Sequence, residues 1–251
     1  MTDVLPITKI PRAGLPGHAL VVGDPERATA IAELLTDSVL IGQNREYRSY
    51  RGNWRHTPVV VSSHGVGGPG ALCLFQELAA AGVHTLLRFG TAGALRADIA
   101  DGDLVIAVAA VRDDGVTQQL VQPEYPAFAT PEAVLALDRA AAAHDVTAHR
   151  GVVWTRAVFS PMARELPMRE YLAAGVIAIE MELSTLLVFA SLRGLRAGGV
   201  LVIDGNATVD NTDPTSYDPH RDVVRKAVAR GSAVALDALV ELAMSELASE
   251  S

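Results

Sequence analysis

The 251-residue chain has a single cysteine, Cys73, and therefore cannot form an internal disulfide. Its first residues, MTDV, contain no basic segment followed by an apolar one, so they do not have the pattern of an export signal. No apolar run approaches the roughly 18 to 20 residues that a membrane-spanning helix needs. From these absences we expect a reduced, cytoplasmic protein that does not contact a membrane.

Basic residues are also fewer than acidic ones. Lys and Arg number 21 against 29 Asp and Glu, which gives a formal net charge of −8. A general nucleic-acid binder needs a broad basic face to neutralise phosphates, so the charge balance argues against that class of partner. Any small anion that binds must be met by locally gathered cations. With 21 glycines, 13 prolines and 49% hydrophobic residues, the chain is suited to a packed core rather than to disorder.

Short β-branched runs alternate with longer alanine- and leucine-rich stretches, the pattern of a helix-covered sheet of the α/β class. The predicted strands span residues 19–22, 58–63, 85–89, 103–108, 176–179 and 200–203. The predicted helices span residues 26–35, 71–81, 131–144, 162–173, 183–192 and 222–247. Because we find no internal repeat and no linker, we expect residues 1–251 to form a single domain.

Three polar segments interrupt this pattern. Residues 44–47, NREY, are predicted to lie in an exposed loop, and residues 112–130 are irregular. Residues 205–220 follow a buried strand and are rich in turn-forming residues, including Asp210 and Asp213. A long polar loop in that position is either a lid over a site or a plain surface connection.

A candidate anion site follows the first predicted strand, in the sequence Gly23-Asp24-Pro25-Glu26-Arg27. The glycine lets an anion approach the backbone, while the amides of the following helix and the Arg27 guanidinium carry positive charge toward it. The alternative is purely structural, because Asp24 followed by Pro25 is also a common way to begin a helix.

Residues 65–70, GVGGPG, match the glycine pattern of a dinucleotide-binding turn. Such a unit places an acidic residue at the end of the next strand, where it holds a ribose hydroxyl. The residue near that position is Arg88, so the match is poor in context. We therefore expect these glycines to allow close approach of another ligand, with dinucleotide binding as the alternative.

Arg88 also matters in its own right, because it ends an otherwise apolar strand and is followed by Gly90 and Thr91. A lone charge there is costly unless it is paired or faces a cleft. The hydroxyl of Thr91 and the amides next to it add further donors. A structural salt-bridged arginine is the alternative.

Three carboxylates follow two other predicted strands. Glu180 and Glu182 lie between a strand and a helix, where they can accept hydrogen bonds from a sugar diol or simply complement the helix dipole. Asp204 ends an apolar run just before Gly205. Partial burial there favours a raised pKa and proton donation, and the alternative is an ordinary turn aspartate.

Taken together, these segments are more specific than any one of them. In the order GDPER, NREY, SHGVGGPG, RFGTAG, EMEL and VIDGN, they resemble the nucleoside phosphorylase family over nearly the whole chain. Within it, the chain is most similar to the branch of protozoan-type purine nucleoside phosphorylases. The resemblance implies a three-layer α/β/α domain with a central mixed, largely parallel twisted sheet. It also implies an active site shared between subunits, in a homohexamer built as a trimer of dimers.

The resemblance also assigns roles to individual residues. Those implied to bind phosphate are Gly23, Arg27, Arg88, Gly90 and Thr91, with Arg45 contributed by a neighbouring subunit. Those implied to bind ribose are Met181 and Glu182, and those implied to line the base pocket are Phe159 and Glu180. Asp204 is implied to be the general acid toward the departing base.

The expected reaction is phosphorolysis of purine ribonucleosides of the inosine and guanosine type. Inorganic phosphate is the co-substrate, and no organic cofactor or metal is expected. Arginines suit the binding of phosphate because guanidinium keeps its charge and matches phosphate geometry. Direct displacement at the anomeric carbon inverts it and yields α-ribose 1-phosphate. The alternatives are a uridine phosphorylase and, from another class, a non-catalytic nucleotide- or dinucleotide-binding module.

The chain departs from the family at three points. Ile7 occupies the position where many relatives have a histidine toward the ribose terminal hydroxyl. The Gln and Arg pair of uridine phosphorylases has no clear match between Trp154 and Tyr171. No arginine follows Asp204 closely enough in sequence to suggest support for the acid.

Overall fold

The computed structural model describes residues 3–160, 163–208, 218 and 221–249, with Ser249 described by its backbone alone. The strands are β1 His18–Val22, β2 Thr36–Asn44, β3 Tyr47–Trp54, β4 Thr57–Ser63, β5 Thr85–Ala94, β6 Leu104–Asp113, β7 Ala127–Phe128, β8 Ala148–Arg156, β9 Ala178–Glu180 and β10 Arg196–Asn206. The helices are α1 Pro25–Ala32, α2 Gly68–Ala80, α3 Pro131–Ala143, α4 Met168–Ala173, α5 Leu183–Leu192 and α6 Asp222–Ser249.

The strands form one mixed sheet. β4, β1, β5 and β10 lie side by side and run parallel, and β3 and β2 continue the sheet antiparallel beyond β4. On the other side, β10 pairs with β6, β6 with β8, β8 with β9, and β9 returns to β5. Five strands therefore close on themselves in a ring, which brings the ends of β5, β8, β9 and β10 together.

The predicted α/β class and mixed sheet are confirmed, but the antiparallel share is larger than expected. Among the described strands, half of the pairings are antiparallel. The reason is topological. A hairpin continues the sheet at one end, and the reversed β6, β8 and β9 close the ring at the other.

Two hydrophobic cores lie on opposite faces of the sheet. Alternate residues of β1 face each of them, with Ala19 and Val21 in one core and Leu20 and Val22 in the other. The first core packs against α2 and α5, and the second packs against α1, α3 and α6. Burial on both faces explains why the central strands are uninterrupted apolar runs.

The helices match their predicted positions, with shifts at the ends. α5 has the predicted bounds, and α2 begins three residues early because Gly67 caps it and Pro69 fits the first turn. α1 ends at Ala32 instead of residue 35. The predicted start of α4 at residue 162 lies outside the described residues, and the described helix begins at Met168.

The largest error is the hairpin of β2 and β3, which is absent from the predicted elements; of its residues only 44–47 are predicted, as an exposed loop. β3 is amphipathic, with Tyr47 and Ser49 buried, whereas the first half of β2 is exposed. An exposed edge strand lacks the apolar pattern on which the prediction depends. β8 is missed because its first five residues are half-buried or exposed and lack an apolar pattern, and β7 is missed because it has only two residues.

In the described part of the chain, no helix combines the length and the apolar character needed to cross a membrane.

Candidate active site

A cavity of about 860 Å³ opens where β1, β5, β9 and β10 meet. Ten of the eleven residues singled out from the sequence line it, namely Gly23, Arg27, Arg88, Gly90, Thr91, Phe159, Glu180, Met181, Glu182 and Asp204. The eleventh, Arg45, does not. Gly23 and Asp204, which are 181 positions apart in the sequence, therefore share one cavity.

The first wall is the start of α1. Gly23 and Arg27 line the cavity there, and the Asp24 carboxylate accepts a hydrogen bond from the Glu26 amide at 2.9 Å. The structural interpretation of this motif as a helix start is therefore correct. It is compatible with an anion site, because the same turn presents a half-buried guanidinium to the cavity.

Arg88 is almost completely buried in the lining of the cavity, with 4% of its surface exposed. Its Nη2 donates to the Glu182 carboxylate, and its Nη1 lies 3.4 Å from Glu180 Oε2. Its Nε and Nη1 make no hydrogen bond to any described residue. A methyl group at Gly90 would lie 2.3 Å from Nη1, so only glycine leaves room for this guanidinium. Arg88 is thus salt-bridged and still has donors to offer.

Glu180 holds the beginning of α5. Its carboxylate accepts from the Glu182 and Leu183 amides at 2.9 to 3.0 Å and from the Thr155 hydroxyl. This is the helix-dipole role considered above. The predicted contact of Glu180 with a base stays a prediction, although the residue lines the cavity.

Glu182 also lines the cavity, and its side chain binds the glycine-rich turn. Its Oε1 accepts from the Gly67 amide at 2.5 Å. Gly65 and Gly67 have φ of +73° and +94°, conformations that favour glycine, and Gly68 lies against Thr185 at the start of α5. The glycines of residues 65–70 therefore serve a carboxylate and a close helix contact, which removes the support for a dinucleotide site.

The pKa values of Glu180 and Glu182 are shifted in opposite directions. Burial raises the pKa of Glu180, and the negative charge of Glu182 adds to that effect against the opposing Arg88. Burial opposes ionisation of Glu182 too, but Arg88, His64 and the Gly67 amide together hold its pKa below the ordinary value. Glu182 is consequently the carboxylate that stays charged.

Asp204 is a buried residue at an irregularity in β10. The pairing with β5 shifts register between Ile203 and Gly205, so Asp204 is the extra residue of a β-bulge. Arg221 donates to the Asp204 carbonyl oxygen at 2.6 Å and to Asp101 at 2.5 Å, and it lines the cavity. No arginine follows Asp204 closely in the sequence, but the fold brings Arg221, from 17 positions further along the chain, to the Asp204 main chain.

Phe159, Met181 and Arg156 also line the cavity. Phe159 is 45% exposed and adds an aromatic side chain to the lining. Arg156 was not singled out from the sequence. The sequence does contain a signal for Arg156, because it follows the apolar residues 152–154 closely, much as Arg88 follows the apolar residues 86 and 87.

Arg45 lies at the turn between β2 and β3, exposed and with φ of +52°. Ile7 does not line the cavity either, and its amide donates to Glu77 at 2.9 Å. Of the loop that follows Asp204, residues 209–217, 219 and 220, including Asp210 and Asp213, lie outside the described residues. Asp218 and Arg221 line the cavity.

A cluster that could hold a metal lies at the opposite end of the sheet. His18, His84 and Glu246 bring ligand atoms within 4.8 Å of one another, at the beginning of β1 and β5. Arg196 already pairs with Glu246, so a cation would compete with a guanidinium. This cluster is separate from the cavity.

Comparison with known proteins gives a consistent result. Residues 18–241 match the phosphorylase superfamily. A guanosine phosphorylase from Halorubrum lacusprofundi is 35% identical over 225 residues, which cover 89% of this chain and 93% of the relative. A uridine phosphorylase from Escherichia coli is 37% identical over 203 residues, 76% of this chain and 80% of the relative. The solved structure of purine nucleoside phosphorylase from Toxoplasma gondii superposes with a TM-score of 0.90 at 28% identity, covering 96% of this chain and 97% of that one.

His64 predicts a pH dependence of stability. Burial lowers its pKa to about 4, so between pH 4 and 6.5 the unfolded state binds a proton that the folded state does not. The free energy of unfolding therefore falls as the pH falls through this window, by up to about 3 kcal/mol from this residue. Urea unfolding at pH 7.5, 6 and 4.5 measures it.

The variant His64→Gln should flatten that dependence, although His18, whose pKa burial also lowers to about 4, maintains part of it. The exposed residue His56 provides the control, and His56→Gln should retain the wild-type slope. Equal slopes in the wild type and His64→Gln would contradict the assignment.

Proposed function

The chain belongs to the phosphorylase superfamily, and from that premise we propose that it cleaves purine ribonucleosides with inorganic phosphate, giving free base and α-ribose 1-phosphate. The activity that its relatives share is nucleoside phosphorolysis, which is a pentosyl transfer. The preference for a purine base is our proposal. The observation that carries it is the convergence on one cavity of arginine donors, the ionised Glu182 and the buried Asp204. Phosphate is the co-substrate, and the reaction needs no organic cofactor.

Phosphate binds, in this proposal, between the start of α1 and the middle of β5. Arg27 supplies charge from α1, and Arg88 supplies two donors that make no hydrogen bond to a described residue, Nε and the Nη1 that lies 3.4 Å from Glu180. Thr91 adds a hydroxyl. Guanidinium groups bind an oxyanion through parallel hydrogen bonds and keep their charge, so they can orient phosphate as a nucleophile.

Ribose binds next to phosphate because Glu182 touches Arg88 directly. A charged carboxylate accepts hydrogen bonds from both hydroxyls of a diol. Its negative charge also favours the positive charge that develops on the sugar as the glycosidic bond breaks. Met181, on the same turn, provides an apolar surface beside the sugar.

Asp204 gives a proton to the departing base. Its buried position on the bulge turns it away from the regular pairing of β10 and toward the cavity that Phe159 also lines. Protonation of the imidazole part of a purine makes the base a neutral leaving group, which lowers the barrier to bond cleavage. Arg221 positions the Asp204 main chain from the far side of the loop.

Much of the positive charge of a single chain is already paired. Among the described residues that line the cavity, Arg88 is paired with Glu180 and Glu182, and Arg221 is paired with Asp101, before any phosphate dianion binds. We propose that the exposed Arg45 of a second copy provides a further cation. The active unit is then a dimer, within a hexamer arranged as a trimer of dimers.

Uridine phosphorolysis is the second candidate. Several relatives are named uridine phosphorylases, and Arg156 places a donor for a carbonyl group in the cavity. A uracil leaving group stabilises negative charge on its own carbonyl oxygens and depends less on an acid. The role of Asp204 therefore distinguishes the two candidates.

A substrate panel tests the reaction. Inosine, guanosine, adenosine, methylthioadenosine and uridine are each incubated with and without phosphate, and released base is quantified by chromatography. We expect release from inosine and guanosine only when phosphate is present. Equal release without phosphate would indicate a hydrolase, and cleavage of uridine alone would select the second candidate.

Asp204→Asn should lower purine turnover by about 10² or more, since general acids contribute factors of this order. Phosphate affinity, measured by calorimetry on the free enzyme, should stay within a few-fold of the wild type. Glu124→Gln, at an exposed position outside the cavity, is the control. Undiminished turnover in Asp204→Asn would remove the residue as the acid.

Complementation between subunits tests the shared site. Arg45→Ala and Asp204→Asn are each expected to be nearly inactive. Co-expressed with different tags and isolated as mixed assemblies, they should recover about a quarter of wild-type activity per chain, because random pairing makes about half of the pairs mixed and one of the two sites of each mixed pair is intact. No recovery in verified mixed assemblies would contradict the contribution of Arg45 from a neighbour.

A further inference from the structure

Arg156 is a buried cation that lines the cavity. It belongs neither to the proposed phosphate site nor to the proposed ribose site. It is the last residue of β8, with 6% of its surface exposed. Its Nη2 donates to the Phe159 carbonyl oxygen, and its guanidinium carbon lies 5.8 Å from the centroid of the Trp154 ring. These contacts hold the guanidinium between the Trp154 ring and the main chain of Phe159.

One end of this guanidinium has a hydrogen-bond donor that is not used. Nη1 of Arg156 is buried and makes no hydrogen bond to any residue that the structure describes. Among the described residues no carboxylate forms a salt bridge with Arg156, and its neighbour across the strand pair, Asp113, accepts instead from the Trp154 indole at 3.1 Å. Burial lowers the pKa of Arg156, against the opposing charge of Asp113. A buried donor without a partner is costly, so the position favours a ligand that accepts a hydrogen bond.

We propose that Arg156 is the residue that selects the base, by donating from Nη1 to a ring carbonyl oxygen and disfavouring bases that carry an amino group at that place. The inference rests on the proposed function, since it concerns the base half of the same cavity. Arginine has donors and no acceptor. A carbonyl oxygen satisfies Nη1, whereas an exocyclic amine would oppose one donor with another and leave a buried charge unsatisfied.

The position of Arg156 also separates it from the phosphate residues. It reaches the cavity from β8, beside Phe159, whereas Arg27 and Arg88 come from α1 and β5. Its anchor is the main chain of Phe159, the residue expected to contact the base. The class of substrate that follows is an oxo-base nucleoside, preferred over its amino counterpart: inosine over adenosine and, if pyrimidines are accepted, uridine over cytidine.

The test compares Arg156→Met and Arg156→Lys with the wild type. For Arg156→Met we expect kcat/KM for inosine to fall by about 10² and that for adenosine to change by less than about threefold, with an unchanged KM for phosphate. Arg156→Lys, which retains a donor and the charge, should recover part of the preference. Arg150→Met, an exposed arginine on the same strand, is the matched control.

Binding of free bases gives a second measurement that does not depend on turnover. Calorimetry with hypoxanthine and adenine should show that Arg156→Met loses affinity for hypoxanthine and not for adenine. An equal loss for both bases, or a raised KM for phosphate with unchanged base preference, would overturn the proposal. If the wild type cleaves no nucleoside with phosphate, the proposed function fails, and the two base affinities still decide the role of Arg156.

Discussion

The ion-pair cluster of Arg88 with Glu180 and Glu182 is the constraint on which the site depends. All three side chains are almost completely buried, and a buried charge is tolerated only when it is paired and hydrogen-bonded. Arg88 requires the glycine at position 90, Glu180 holds the start of α5, and Glu182 binds the amide of Gly67. One cluster therefore fixes the distance between the proposed phosphate and ribose positions.

The closed ring of strands completes the site around that cluster. β5 carries Arg88 and is paired with both β9 and β10, so the turn after β9 and the bulge of β10 open into the same cavity. The bulge gives Asp204 a direction that regular pairing would not allow. In this way the proposed general acid, the proposed ribose carboxylate and the proposed anion site share one cavity.

Much of this site could be predicted from the sequence, because its residues interrupt apolar runs. Arg88 and Asp204 interrupt the apolar runs of two buried strands, and the turn from Gly23 to Arg27 follows a third, so polar residues at these positions are conspicuous. The hairpin of β2 and β3 could not be predicted, since an exposed edge strand has no apolar period. Arg221 was missed because its contact with the Asp204 main chain spans 17 residues of polar loop.

The central claim is that the protein transfers the ribosyl group of a nucleoside to phosphate and not to water. Turnover of guanosine with phosphate in ¹⁸O-labelled water, followed by mass spectrometry of the sugar product, tests it directly. The account predicts ribose 1-phosphate without the heavy isotope, because the new bond at the anomeric carbon comes from a phosphate oxygen. Free ribose labelled at that carbon would contradict it.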